Sequence, residues 1–397
     1  MSKWEMVRLG DVCEVTSSKR IFESEYTLKG IPFYRTKELV ELSKGNEIST
    51  TLFISIERYN EIKEKFEVPN VSDILISAVG TIGTVWIVSG EDPFYFKDGN
   101  ILWIKKSLYF EPKYLKFMLG IQIKNNIANI TIGSAYDALT IIKLKNMLVP
   151  LPPLEVQKKL AQTLDAASEL IALRKNQLEE LDNLIKSTFH ELFGDPVANE
   201  KGWDIKELGS IALKIGSGAT PKGGKESYKT TGISLIRSMN VHNGAFKYDQ
   251  LAHLDDEQAS KLDNVEVKVE DVLINITGAS VARSCIVPVD VLPARVNQHV
   301  SIVRISNEIA NCYYINNVFI SNSYQKNLLS IGSAGGATRE AITKNQLQEL
   351  AIPLPPLTLQ NQFAEIVTKI EEQKSLVQKA IDESQYLFDS LMSEYFE

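Results

Sequence analysis

Gly216-Ser-Gly-Ala-Thr-Pro-Lys-Gly-Gly-Lys225 is the stretch of this 397-residue chain that comes nearest to a chemical motif, a glycine-rich run ending in lysine. Backbone N–H groups of such a loop can cradle phosphates when the spacing is right and a Ser or Thr hydroxyl follows to hold magnesium. Here the Gly to Gly-Lys spacing is one residue too long, and Glu226 stands where the hydroxyl belongs. The run reads as a basic loop. No Gly-x-Ser-x-Gly elbow, His-Glu-x-x-His pair or dinucleotide fingerprint occurs. Neither does an Asn/Asp-Pro-Pro-Tyr/Phe tetrapeptide of the kind that grips a flipped adenine. The four histidines, His190, His242, His253 and His299, lack metal-ligand spacing. Cys13, Cys285 and Cys312 form no Cys-x-x-Cys pair and read as buried free thiols. Nothing in this inventory performs covalent chemistry by itself.

Binding chemistry is better represented, in polar loops that occur twice. Lys19-Arg20 has its counterpart in Lys222 to Lys225, and Arg35-Thr-Lys37 in Arg237-Ser-Met-Asn240. Ser77 to Thr81 answers to Thr277, Ser280 and Arg283, small-residue turns that let backbone approach a ligand closely. Ser134-Ala-Tyr136-Asp137 answers to Ser333 through Thr338 and Arg339, where the second copy adds Gly335-Gly336. Arg and Asn read guanine and adenine edges bidentately, while Ser, Thr and Lys suit phosphates. The recurrence of these loops with different side chains points to a nucleic-acid surface more strongly than any single loop does.

The elements that must hold these loops also recur, about 200 residues apart. Trp4-x4-Leu9-Gly10 corresponds to Trp203-x4-Leu208-Gly209, Gly30-Ile-Pro-Phe-Tyr-Arg35 to Gly232-Ile-Ser-Leu-Ile-Arg237, and Asp73-Ile-Leu-Ile to Asp271-Val-Leu-Ile. Ile132-Gly-Ser-Ala135 matches Ile331-Gly-Ser-Ala334, and Val149-Pro-Leu-Pro-Pro-Leu154 matches Ile352-Pro-Leu-Pro-Pro-Leu357. Such a register defines a duplicated unit. Strand patterns at Ile74–Val79, Ile101–Ile104, Val272–Ile276 and Val300–Ile305 alternate with helix-like stretches at Ile56–Phe66 and Tyr314–Leu328, which predicts an α+β fold with an irregular mixed sheet in each copy.

After each Pro-Leu-Pro-Pro hinge, which disfavours helix at the residue before each proline, a long helix is predicted to start at once. Its apolar seam runs Leu160, Leu164, Ala167, Ile171, Leu178, Leu181, Ile185, Leu192, with Arg174 and Thr188 as polar interruptions. The second runs Phe363, Val367, Ile370, Val377, Ile381, Phe388, Leu391, Tyr395, interrupted by Lys374 and Ser384. Steps of four and three over four heptads predict a coiled coil. Each helix is about 60 Å long at ~1.5 Å per residue. The Gly194–Gly202 linker spans only about 30 Å when extended, so the pairing is predicted to be antiparallel, with one domain at each end and Trp4 near the carboxyl terminus. The predicted boundaries are 1–149 and 194–352 for the domains and 150–193 and 353–397 for the helices.

Composition fits two ordinary cores, with 44% hydrophobic residues, no membrane-length apolar run and no signal-peptide core at the amino terminus, so the expected compartment is the cytoplasm. The net charge of −7 is unevenly spread. Lys+Arg against Asp+Glu is 19 to 18 in 1–149 and 16 to 17 in 194–352, but 5 to 7 and 3 to 8 in the two helical segments. Any DNA-facing surface must therefore be a local patch, and a basic partner could supply much of the phosphate affinity.

Two variable α+β domains, each followed by Pro-Leu-Pro-Pro-Leu, then Gln157 or Gln360, then a long helix closing in Phe189-His-Glu-Leu-Phe193 or Met392-Ser-Glu-Tyr-Phe396, resemble the specificity subunits of type I restriction-modification systems over essentially the whole chain. The resemblance implies a non-catalytic subunit whose two target-recognition domains each read half of a split, asymmetric DNA sequence. The coiled coil would act as the ruler, with pseudo-two-fold symmetry and half-sites one turn of DNA or more apart. It further implies two methyltransferase subunits using S-adenosylmethionine to methylate a flipped adenine in each half, and motor-nuclease subunits using ATP and magnesium. Asn297-Gln-His299 also looks like a family element, but the first copy has Asp98-Gly-Asn100 there, and His299 reads as structural. Two rival readings stand beside this one. The first is a methyltransferase or nuclease with its own recognition domains, which the missing motifs oppose. The second is a coiled-coil scaffold for protein interaction, which selective DNA binding by the assembled complex would eliminate.

Overall fold

A computed structural model describes residues 4–48, 50–125, 138–221, 223–333 and 341–396, without the side chain of Lys225. The chain divides into two compact units, Met1–Lys175 with Lys379–Glu397, and Asn176–Gln378. Each unit repeats one architecture. In the first, Val15–Ser17, Ile101–Ile104, Ile74–Ser77 and Val85–Ile87 form an antiparallel sheet in that order. In the second, the same order is taken by Ala212–Ser217, Val300–Ile305, Val272–Asn275 and Ser284–Ile286. A second, mixed sheet is built around a parallel pair, Ile31–Tyr34 with Tyr95–Phe96 in one unit and Ile233–Ile236 with Ala294–Val296 in the other. A two-stranded clasp ties Met6–Arg8 to Leu148–Pro150, and Asp204–Glu207 to Ala351–Leu354.

Residues matched in the sequence repeat prove to be those the architecture requires. Gly30 (φ +141°) and Gly232 (φ +129°) lead into the parallel strands, and a Cβ at either would collide with a carbonyl oxygen, of Ile54 or of Leu254. Asp73 and Asp271 are buried at the start of the central strand, and each is fully bonded. Asp73 accepts from the backbone N–H groups of Asn70 and Lys106 and from Trp103 Nε1 (2.9 Å). Asp271 accepts from Lys268 N and from Arg304 through Nε (2.7 Å) and Nη2 (2.8 Å). A buried carboxylate is tolerated only with such partners. The differences lie at the edges. Where the first unit follows its parallel strand with the helix Thr36–Ser43, the second has a small hairpin, Val241–His242 with Ala245–Phe246.

The predicted helix Ile56–Phe66 is present, but the stretch Tyr314–Leu328 is two helices, Cys312–Ile320 and Asn322–Ser333, because Ser321 adopts an extended backbone between them. Cys13, Cys285 and Cys312 are buried free thiols, and burial pushes their pKa up to about 11, 12 and 12.

The long helices run Leu154–Phe193 and Leu357–Phe396, beginning directly after each hinge. In the first unit Leu160, Ala161 and Leu164 share a core with Met392 and Phe396, so the start of one helix packs on the end of the other. In the second unit Phe189 and Phe193 pack on Phe363, with ring centres 5.6 and 5.4 Å apart. Both contacts are antiparallel. The polar interruptions are bonded: Arg174 donates to Ala380 O and Ser384 Oγ in the first unit, and Lys374 meets Asp182 (2.6 Å) and Glu371 (2.8 Å) in the second. The carboxyl-terminal end belongs to the first unit, where Gln122 Nε2 donates to Phe396 O (3.2 Å) and Phe396 packs on Tyr114.

Candidate nucleic-acid interface

The loops of each unit are gathered at one end of its sheets by matching sets of backbone bonds. In the first unit, Lys97 N donates to Tyr34 O (2.9 Å), Ala78 N to Asn100 O (2.8 Å) and Leu139 N to Ala78 O (2.9 Å). In the second, Asn297 N donates to Ile236 O (3.1 Å), Ile276 N to His299 O (2.9 Å) and Ile342 N to Ile276 O (2.8 Å). The loop after the first strand is tied to the same hub, by Ser18 Oγ to Phe96 O (2.6 Å) in one unit and Gly218 N to Asn297 O (3.1 Å) in the other. Segments 96–100 and 297–299 are therefore the junction on which the other loops hang. Asp98-Gly-Asn100 and Asn297-Gln-His299 do not match in residue type; the signal that identifies them is position, since Asn100 and His299 occupy one place in the frame.

Within this frame the candidate residues separate by what they already bind. Arg20 pairs with Asp98 (3.0 Å) while staying largely exposed, and Lys19 Nζ lies 4.5 Å from the Phe66 ring centre. Lys37 and Thr81 are exposed. Arg35 is held by Glu38 through Nη2 (2.9 Å) and Nε (3.3 Å). Burial pushes the Glu38 pKa up, but the guanidinium and backbone N–H donors outweigh it and leave the carboxyl below its ordinary value; Arg35 is raised in turn. Ser77 is buried, donates to Thr81 O and accepts from Thr84 N (2.9 Å), so its hydroxyl closes the turn.

In the second unit Asn240 is likewise consumed: its amide accepts from Arg237 N (3.0 Å) and donates to Lys247 O (2.8 Å) and Asp249 O (3.3 Å). Arg237 donates to Gln250 O and lies 5.3 Å from the Tyr228 ring centre. Both shape a loop. Thr277 bonds His299 Nδ1, Ser280 is half-buried, and Ser333 is exposed with its hydroxyl donating to Leu329 O (2.9 Å). Thr277, Ser280, Arg283 and His299, with Ser238 and Met239, line a cleft of about 650 Å³. His299, read from sequence as structural, thus belongs to the loop cluster. Ser134, Tyr136, Lys222, Thr338 and Arg339, and the side chain of Lys225, lie outside what is described. Among the described residues no group of three or more His, Cys, Asp or Glu is placed to hold a metal. The loops of the first unit offer Lys19, Arg20 and Lys37, and those of the second offer hydroxyls, a guanidinium and an imidazole, each on its own backbone frame, which is the chemistry of binding.

Two repeats of a mixed α+β domain, each leading into a long helix, with paired loop clusters, define a two-domain recognition protein. Residues 1–183 and 200–384 each match the model of the type I restriction modification DNA specificity domain, and the chain belongs to that family as a non-catalytic specificity subunit. It is 25% identical to the inferred specificity subunit of the type I restriction enzyme MjaX of Methanocaldococcus jannaschii, over 93% of this chain and 87% of that one. To the MjaVIII specificity subunit of the same organism it is 22% identical over 93% and 86%. The fold is shared with the crystal structure of the type I restriction-modification system S subunit from M. genitalium, at TM-score 0.61 and 14% identity over 100% of this chain and 96% of that one.

Proposed function

We propose that each unit reads one half of a bipartite, asymmetric DNA target, and that the paired helices set the separation of the halves and dock methyltransferase subunits. The observation that carries this is the duplicated backbone frame with unlike side chains upon it: Thr84 against Arg283, Asn100 against His299, Lys97 against Asn297. One scaffold furnished twice with different donors and acceptors suits two different half-sites. Recognition falls to 1–149 and 194–352, and spacing to 150–193 and 353–397. The DNA-facing set comprises Lys19, Arg20, Lys37 and Thr81 in the first domain and Thr277, Ser280 and Arg283 in the second, completed by the loops carrying Ser134, Tyr136, Lys222, Lys225, Ser333, Thr338 and Arg339. Arg35, Arg237, Ser77 and Asn240 shape the loops.

Exposed Leu170, Leu173 and Tyr386 in the first unit, and Leu184 and Leu376 in the second, support docking on the helices, as does the acidic excess there, which would attract basic partner faces. Two methyltransferase subunits bring S-adenosylmethionine, and motor-nuclease subunits bring ATP and magnesium. The setting is the cytoplasm; among the described residues no helix is long and apolar enough to cross a membrane. Selection of bound duplexes from a random pool by the complex with its methyltransferase tests the proposal. A two-part motif with an unread gap is expected, and retention without sequence preference contradicts it.

A further inference from the structure

We propose that Arg283 is the side chain by which the second domain reads a guanine in its half of the target. This rests on the reading that the domain recognises DNA, and it names the residue that carries the base preference. Arg283 combines a fixed backbone with an uncommitted head group. Its carbonyl accepts from Asn275 N (2.8 Å), its N–H donates to Ser280 O (3.2 Å), and the preceding Ala282 is held at φ +71° with its own N–H on Asn275 O (2.8 Å). A non-glycine residue in the left-handed region is strained, and persists where surrounding contacts over-determine it. The turn is thus a rigid mount.

The guanidinium itself has no hydrogen-bond or ion-pair partner among the described residues, and it lines the cleft with Thr277, Ser280 and His299. The other described arginines of this unit are committed. Arg237 donates to Gln250 O, Arg295 pairs with Asp263 (2.7 Å), and Arg304 pairs with Asp271 (2.7 Å). In the first unit the same turn carries Gly83 (φ +84°) and Thr84, whose hydroxyl is turned inward onto Thr81 O (3.2 Å). The copies therefore differ at one mount, where one ends in an internally bonded hydroxyl and the other in a free planar fork. A guanidinium on a rigid backbone matches O6 and N7 of guanine bidentately, the commonest specific contact in the major groove. The flanking hydroxyls suit sugar and phosphate.

The test is single-molecule methylation sequencing with the assembled complex, using wild type, Arg283→Gln, and Arg283→Thr, which installs the residue the equivalent turn already accommodates in the first unit. Thermal melts of each variant check folding. Wild type is expected to give a two-part motif with a guanine in one half. Both variants are expected to lower the preference for that guanine by roughly 5- to 150-fold, about 1–3 kcal/mol, and to leave the other half unchanged. A uniform fall in methylation with the motif intact assigns Arg283 to phosphate and overturns the proposal. So does a motif without guanine in the altered half, or an unchanged motif in both folded variants. If wild type yields no two-part motif, the reading of the domain as a half-site reader fails along with it.

Discussion

Gln157 and Gln360, both fully buried, explain at single-residue scale why a hinge and a helix recur together. Gln157 accepts from Glu111 N (2.9 Å) and donates to Tyr109 O (2.9 Å) and Pro152 O (2.8 Å); Gln360 accepts from Asn311 N (2.9 Å) and donates to Pro355 O (2.8 Å). Each amide staples the first turn of a long helix to the start of a domain helix. Replacing Gln360 with Leu strands a buried donor and acceptor, and a loss of about 1–3 kcal/mol is expected in urea unfolding of the second unit. Glu38 makes a pH prediction. Its folded pKa lies below its unfolded value of about 4.3, so its stabilising effect is present above that value and is lost as pH falls through the folded pKa. Hydrogen exchange should therefore show the helix Thr36–Ser43 loosening in acid, and Glu38→Gln should remove that pH dependence. Both glutamines were visible in the sequence as repeated letters, but their partners sit 46 and 49 residues away, beyond what local pattern conveys. Asn240 and Ser77 differ: their partners are three to nine residues away, and residue type alone does not tell a side chain that closes its own loop from one that faces DNA.

At the scale of elements, periodicity was sufficient for the long helices, whose seam depends on spacing alone, and for the buried central strands. It failed at Ser321, where one apolar period hides an extended residue between two helices, and at two-residue strands such as Tyr95–Phe96, which exist through pairing with distant chain. The loop hub at 96–100 and 297–299 was illegible for the same reason. Helix and domain are energetically one element where Phe363 meets Phe189 and Phe193, which pack in turn on Tyr314; Phe193 and Tyr314 ring centres lie 4.7 Å apart. Phe363→Ala empties a fully buried site and is expected to cost about 3–5 kcal/mol. Hydrogen exchange should locate the loss in Asn176–Gln378 and leave protection in the first unit intact; equal loss in both units would contradict the division.

For the whole molecule, charge distribution sets the terms. A chain of net charge −7 whose domains are near neutral has little phosphate affinity of its own. Binding to duplex DNA is expected to be weak for the isolated subunit and to gain both affinity and a steeper salt dependence when methyltransferase is added, which titrations at several salt concentrations would measure. An equally steep slope without the partner would place the basic surface in this chain instead. The duplication itself was the most legible feature, because matched glycines, aspartates and hinges serve one frame twice. The identity of the bases was not, because it depends on loop conformation.

The central claim, that two unlike domains read two unlike half-sites, is tested most directly by single-molecule sequencing of DNA from cells expressing the chain with its methyltransferase, against cells lacking the chain. The account predicts a chain-dependent, asymmetric two-part motif with N6-methyladenine in both halves. A palindromic or single-part motif, or the same methylation without the chain, would contradict it.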